Sequence, residues 1–76
     1  MKTFLLKIVT PDSVALEKEC TSLKILTHDG WRGILADHEN AIFAVESGNL
    51  TADDEDFFSP GGLLLFENNK AELLQL

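Results

Sequence analysis

Few side chains in this 76-residue sequence could carry out chemistry: one cysteine, two histidines and a run of acids. His28 and His38 are ten positions apart, and a metal site would need further ligands from acids elsewhere in the chain. Cys20 has no neighbouring histidine to act as a base, and no serine elbow or phosphate-binding glycine loop is present. We therefore expect no catalytic residue, no metal site and no cofactor. Cys20 is interpreted as a small, half-buried hydrophobic residue.

The acidic run at residues 53–56 is the strongest local charge feature in a chain whose formal net charge is −7. We interpret it as a solvated loop. A cation site is the alternative, although the ligand spacing and turn glycine of a calcium loop are missing. Adjacent acids on a loop also lack the burial that separates the pKa values of two catalytic carboxylates. The net charge disfavours binding to nucleic acid or to anionic lipid.

Length and composition predict one domain over residues 1–76, since a chain this short supports only one core. A single cysteine is typical of a reducing compartment. Lys7 and Pro11 interrupt the apolar N-terminal run, and no segment reaches the roughly 20 apolar residues of a membrane span. We expect a soluble, cytoplasmic protein without direct membrane insertion.

Short apolar or alternating segments separated by turn residues predict strands along the whole chain. The first strand alternates from Phe4 to Val9 and ends at the turn residues 10–13. Val14 and Leu16 mark a short second segment, and residues 20–27 have two mixed faces, which predicts an outer strand. For residues 37–46 a helix is the alternative, but Ile42 and Val45 are β-branched and favour a strand over residues 41–45.

The last third of the sequence predicts a strand at residues 57–59 and then a hairpin. Residues 63–66 are interpreted as a core strand, and Asn68 and Asn69 tolerate the positive φ of a tight turn before the final strand, residues 71–76. The fold class is therefore all-β: a small β-sandwich or flattened barrel of short, mostly antiparallel strands.

Five motifs in order resemble the N-terminal β-sandwich domain of the F-type ATP synthase epsilon subunit. Each is weak alone, but together they span nearly the whole chain. They are an apolar strand ending in Thr-Pro-Asp (residues 6–12), Gly-x-x-Gly-Ile-Leu-x-x-His (residues 30–38), Gly-Asn-Leu (residues 48–50), an aromatic strand into Gly-Gly (residues 57–62), and a two-asparagine hairpin with paired leucines (residues 68–74).

Three departures from the family pattern limit the resemblance. Ala36 and Asp37 stand where the family usually has Pro-Gly, and residues 51–56 are shorter than the family's hairpin. The sequence also stops where the family continues into a C-terminal helical hairpin. Because that hairpin carries the family's regulatory inhibition and nucleotide binding, we expect neither here.

The resemblance implies a non-catalytic central-stalk (rotor) subunit of a rotary proton- or sodium-translocating ATP synthase. It would couple the catalytic head to the membrane ring by binding the gamma subunit and the ring, and would have no small-molecule substrate. It would lie at the cytoplasmic, inner face of the membrane, as a peripheral part of the complex. The alternative is a free-standing, truncated epsilon-like β-domain that acts as a protein-interaction module outside the synthase.

In the family, the corner at residues 29–38 faces the ring, which assigns partner binding to Asp29, Trp31, Arg32 and His38. Trp31 stands where the family often has an acid, so it is either an interface anchor or a side chain folded over the mouth of the sandwich. Gly33 is expected to need a positive φ or close packing at this corner.

Overall fold

The computed structural model describes residues 2–75, which form nine β-strands and no helix. The all-β prediction is confirmed, and residues 41–45 form a strand rather than a helix. The predicted final strand reaches Leu76, which lies outside the described residues. The strands are β1 (Phe4–Val9), β2 (Val14–Cys20), β3 (Ser22–Thr27), β4 (Gly30–Leu35), β5 (Ala41–Val45), β6 (Gly48–Ala52), β7 (Glu55–Ser59), β8 (Gly62–Glu67) and β9 (Lys70–Gln75).

The strands form two layers that share one hydrogen-bonded sheet. Strands β2-β1-β9-β8-β5 make a five-stranded layer, and β4-β3-β6-β7 make a four-stranded layer. Lys24 of β3 pairs with Gly33 of β4 on one edge and with Thr51 of β6 on the other. The layers are connected where Val45 of β5 pairs with Thr27 of β3. Within residues 2–75, β1 and β9 are the only strands that pair in parallel. The result is the predicted flattened barrel of mostly antiparallel strands.

The core is built from alternate residues of both layers, as the two-residue repeat of a strand requires. Phe4 and Phe66 pack edge to face at its centre, with ring centroids 5.6 Å apart. The buried apolar residues of the five-stranded layer are Phe4, Leu6, Ile8, Cys20, Val45, Leu64, Phe66, Ala71 and Leu73, and those of the four-stranded layer are Leu23, Ile25, Ile34, Leu50 and Ala52.

The predicted outer strand at residues 20–27 is wrong in two respects. The chain turns at Thr21, which separates β2 from β3, and β3 is paired on both edges. Cys20, the last residue of β2, is fully buried rather than half-buried, and this burial raises the pKa of its thiol to about 11. The thiol is therefore protonated and unreactive at neutral pH.

Asp53 explains why the chain can turn at this point. Its carboxylate Oδ1 accepts hydrogen bonds from the Thr21 amide (2.9 Å), the Thr21 hydroxyl (2.7 Å) and the Ser22 amide (3.0 Å). Asp53 and Asp54 both have positive φ and form the two-residue turn between β6 and β7. The interpretation of residues 53–56 as a solvated loop is thus wrong for Asp53, which attaches the β6–β7 hairpin to the β2–β3 connection. It is also wrong for Glu55 and Asp56, which belong to β7.

The hairpin of β8 and β9 confirms the predicted two-asparagine turn. Asn68 and Asn69 have φ values of 51° and 57°, and Glu67 pairs with Lys70 across the turn. The interpretation of residues 63–66 as a core strand holds only for Leu64 and Phe66, which are buried, since Leu63 points outward and is 52% exposed. Successive side chains of a strand lie on opposite faces, so an unbroken apolar run must expose half of its members.

The expectation for Gly33 is wrong, whereas another glycine is constrained. Gly33 lies within β4 without a positive φ, and no atom comes within 4 Å of a β-carbon built at this position. At Gly62 (φ +156°) a β-carbon would overlap the carbonyl oxygen of Leu74 on the neighbouring strand β9. Close approach of two backbones therefore requires glycine at residue 62 and not at residue 33.

Gly62→Ala should lower the free energy of unfolding by at least ~2 kcal/mol, because the new methyl group displaces β9. Gly33→Ala should be neutral or should stabilise by up to ~1 kcal/mol, because an alanine in a strand interior has less unfolded-state freedom to lose. Urea denaturation of both variants measures the difference. Equal losses of stability would contradict this account of the two positions.

Asp53 should make folding stability depend on pH. Hydrogen bonds from Thr21 lower the pKa of this carboxyl in the folded state. A carboxyl with a lowered folded-state pKa stabilises the fold above its unfolded pKa of about 3.9, and that contribution is lost as the pH falls through the folded value. Asp53→Asn should therefore lower the melting temperature at pH 7 and reduce its fall below pH 4.

The matched control is Asp54→Asn, which removes the same charge from the next residue of the same turn. Asp54 also has positive φ, yet it does not bond to Thr21 or Ser22. Thermal melts between pH 7 and pH 3 should show a larger effect for Asp53→Asn. If the two variants melted alike, the Asp53 hydrogen bonds would contribute nothing measurable.

Candidate protein-interaction surfaces

The four residues assigned to partner binding from the sequence lie together in the structure. Asp29, Trp31, Arg32 and His38 all line one open depression of about 620 Å³. It lies between β4 and β5, which are not paired with each other along the described chain. We call this depression the seam. Its lining residues are Thr27, His28, Asp29, Trp31, Arg32, Gly33, His38, Ile42, Phe43 and Ala44.

A tight turn between β3 and β4 positions the first residues of the seam. The hydroxyl of Thr27 donates to the carbonyl oxygen of Gly30 (2.8 Å) and accepts from the amide of Asp29 (3.3 Å). Gly30 has a φ of 109°, as the Asp-Gly sequence predicts. Trp31 follows directly and is 58% exposed, so it does not fold over the core. Of the two possibilities for Trp31, the structure therefore retains the exposed one.

Arg32 and Asp29 form a long ion pair at the rim of the seam. The guanidinium Nη2 of Arg32 lies 3.9 Å from Oδ2 of Asp29, and both side chains are at least half exposed. Exposed pairs of this kind contribute little to stability. The guanidinium is therefore available to bind a carboxylate of another molecule at small cost.

His38 is held more firmly than the other three residues. Its ring packs edge to face against Phe66 of the core (centroids 5.5 Å apart) and tilts against Phe43 (6.1 Å). Nδ1 lies 2.6 Å from the carbonyl oxygen of Glu39, and a carbonyl only accepts, so Nδ1 carries a proton. Nε2 is then the nitrogen that can accept a hydrogen bond from a partner. Within residues 2–75 no three His, Cys, Asp or Glu side chains are grouped as a metal site would require.

The loop that joins the two sides of the seam is fixed by Asp37. This residue has a φ of 65°, the conformation that the family's glycine at this position would adopt readily. Its carboxylate accepts from Nζ of Lys2 (2.6 Å) and from Nδ2 of Asn69 (2.9 Å), and its amide donates to Oδ1 of Asn69 (2.6 Å). The hydrogen bond from Lys2, followed by that from Asn69, lowers the pKa of Asp37. Hydrogen bonds to Asp37 thus stabilise a positive-φ conformation that glycine would adopt without such contacts.

A second surface was missed from the sequence. Ala44, Leu63, Leu74, Val9 and Val14 are paired in turn across β5, β8, β9, β1 and β2. Paired residues share a face, so these side chains form a continuous outward row, which we call the apolar row. Leu63, Leu74 and Val14 are all exposed. The unbroken run at residues 63–66 was the available signal, but only the strand order places the five residues side by side.

The family model for the "ATP synthase, Delta/Epsilon chain, beta-sandwich domain" matches residues 3–75, nearly the whole chain. The chain belongs to this family. The "ATP synthase epsilon chain" of Rickettsia felis is 30% identical over 59 residues, which is 78% of this chain and 53% of the relative. The chain spans about half the length of this curated relative.

Solved structures agree on the fold. A chain of the Euglena gracilis mitochondrial ATP synthase (OSCP/F1/c-ring) superposes with a TM-score of 0.86 at 20% identity, over 96% of this chain and 50% of that chain. A chain of the Tetrahymena thermophila mitochondrial ATP synthase (central stalk/c-ring) superposes with a TM-score of 0.80 at 16% identity, over 99% and 64%. The described residues include no helix long and apolar enough to cross a membrane.

Proposed function

We propose that this chain is a non-catalytic central-stalk subunit of a rotary proton- or sodium-translocating ATP synthase. In this role it couples the catalytic head to the membrane ring by binding both the gamma subunit and the ring. The observation that carries the proposal is the seam, where four residues assigned to the ring-facing corner line one open depression. Family membership and the stalk assemblies among the structural neighbours support it.

The seam is the proposed contact with the ring. Trp31 offers a large exposed aromatic surface, and Arg32 beside it offers a charged group held only by a weak ion pair. Exposed tryptophan and arginine are the residues most often found at the energetic centres of interfaces. The ring contact would therefore combine apolar burial with one or two charge-assisted hydrogen bonds.

The apolar row is the proposed contact with the gamma subunit. It crosses all five strands of one layer, so the packed core stands directly behind it. Close-packed sheets deform little under load, which suits a part that must transmit torque between two partners. The row and the seam meet at Ala44, but the other four residues of the row lie outside the seam, so the chain could bind both partners at once.

The proposed location is peripheral, at the inner face of the membrane through the complex. The second candidate is an epsilon-like interaction module that works outside the synthase. Co-purification from native membranes separates the two: recovery with the gamma subunit and the ring supports the stalk subunit, and recovery without them supports the separate module.

Trp31→Ala should weaken binding to purified ring by at least about 30-fold, because truncating a central aromatic anchor costs ~2 kcal/mol or more. The melting temperature should stay nearly unchanged, since the side chain is mostly exposed. Phe58→Ala is the matched control, an exposed aromatic on β7 at the opposite end of the sheet order, and it should change neither quantity. Unchanged ring affinity in folded Trp31→Ala would remove the seam from the interface.

Leu74→Glu should weaken binding to the gamma subunit by at least about 30-fold, because it places a charge in the middle of the apolar row. Leu74 is 44% exposed and points outward, so the fold should survive. Phe58→Glu adds the same charge at an exposed apolar site outside the row and should leave the affinity within about threefold. Surface plasmon resonance with immobilised gamma subunit measures the affinity of both variants. Equal affinities of Leu74→Glu and Phe58→Glu would show that the gamma subunit binds elsewhere.

A further inference from the structure

Four strands of the fold have an edge that is unpaired, or paired at a single residue, within residues 2–75. They are β2 and β7 at the ends of the sheet order, β4 beyond β3, and β5, which beyond β8 has only the single Thr27–Val45 pairing. Uncovered edges present unpaired amide and carbonyl groups and can bind another extended chain. Natural proteins usually block such edges with charged residues or proline, and an edge that lacks both is open to another strand.

The edges of β2 and β7 are blocked. β2 contains the consecutive charged residues 17–19, and β7 begins with two acids and is followed by Pro60. Side chains of these two edge strands also contact each other. Nζ of Lys18 lies 3.2 Å from Oε1 of Glu55 and 5.8 Å from the ring centroid of Phe57. No extended chain could enter on this side without displacing these contacts.

The edges of β4 and β5 are not blocked. β4 has the sequence Gly-Trp-Arg-Gly-Ile-Leu with one charge, and β5 has Ala-Ile-Phe-Ala-Val with none. Both carry large exposed apolar side chains: Leu35 on β4 is 62% exposed and Ile42 on β5 is 68% exposed. The seam between them, about 620 Å³, lies within the usual size range of a binding cleft, ~300–1,000 Å³.

We propose that the free edge of β4 binds an extended segment of a protein partner by strand addition, with the segment lying in the seam. This inference rests on the proposed function, because it states how the ring-facing corner would hold its partner. The affinity would come from main-chain hydrogen bonds to β4, and the specificity from side chains that alternate between the two faces of the added strand.

Charge indicates that the segment comes from another protein and not from a second copy of this chain. The ionised residues that line the seam, Asp29 and Arg32, cancel, whereas the whole chain carries −7. Two copies would bring −7 against −7, and this repulsion opposes self-association. The seam is therefore an electrostatically neutral site on an acidic protein, and a segment bearing a carboxylate can approach Arg32 there.

The alternation of β4 specifies the chemistry of the segment. Trp31 and Leu35 lie on the outer face of β4, while Arg32 lies on the other face together with the buried Ile34. An added strand follows the same alternation. On the outer face, the segment should carry apolar residues beside Trp31 and Leu35. On its other face, between those two positions, it should carry a carboxylate or an amide that bonds to Arg32.

Amide hydrogen exchange of the chain, free and bound to an assembled complex of gamma subunit and ring, tests the inference with residue-level mass spectrometry. In an antiparallel pair every second residue directs its amide to the partner strand, so half of the β4 amides face the free edge. Binding by strand addition should slow exchange at those alternate positions by at least tenfold.

Three outcomes would count against the inference. Binding that depends on Trp31 without alternating protection of β4 would overturn strand addition and leave the proposed function standing. Absence of binding to either partner would overturn both. Protection that grows with the concentration of this chain alone would identify a second copy as the occupant, contrary to the charge argument.

Discussion

Alternate residues of the strands pack into one core between the two layers. This packing determines the positions of the strands, the turns and the exposed surfaces. Each of the nine strands within residues 2–75 contributes inner side chains, and Phe4 and Phe66 pack edge to face within the core. Hydrophobic burial dominates the stability of so small a domain. Because only one face of each strand can be buried, the other faces remain on the surface, and their composition decides what the domain can bind.

The small core also leaves the loops to be fixed by polar contacts. The layers are hydrogen-bonded through β5 and β3, and side-chain hydrogen bonds help to fix two further connections. Asp53 holds the β6–β7 turn to the start of β3, and Asp37 holds the loop after β4 to Lys2 and Asn69. Both acids have positive φ, a conformation costly for most residues and tolerated by aspartate. Hydrogen bonds to these two carboxylates therefore stabilise a turn conformation that glycine more commonly adopts.

The arrangement suits a domain that works by contact. The apolar row and the seam meet at Ala44 but otherwise use different residues of the barrel, and neither needs a catalytic group. Membership of the delta/epsilon family accounts for the fold, which the superposed ATP synthase chains share. The proposed roles of the two surfaces add to that membership, because they rest on exposure, charge and strand edges in this chain.

Two-residue alternation and turn chemistry are local, so the residues alone were enough to predict most of the strand segments, the Asp-Gly and Asn-Asn turns and the family. The sequence also identified the corner residues, since their motif is contiguous from Asp29 to His38. Four features could be seen only in the folded chain: the open space at Gly33, the overlap at Gly62, the hydrogen bonds of Asp53 and the apolar row. These depend on strands that are distant in sequence, such as β1 beside β9, and register between such strands is set by the packing of the whole core.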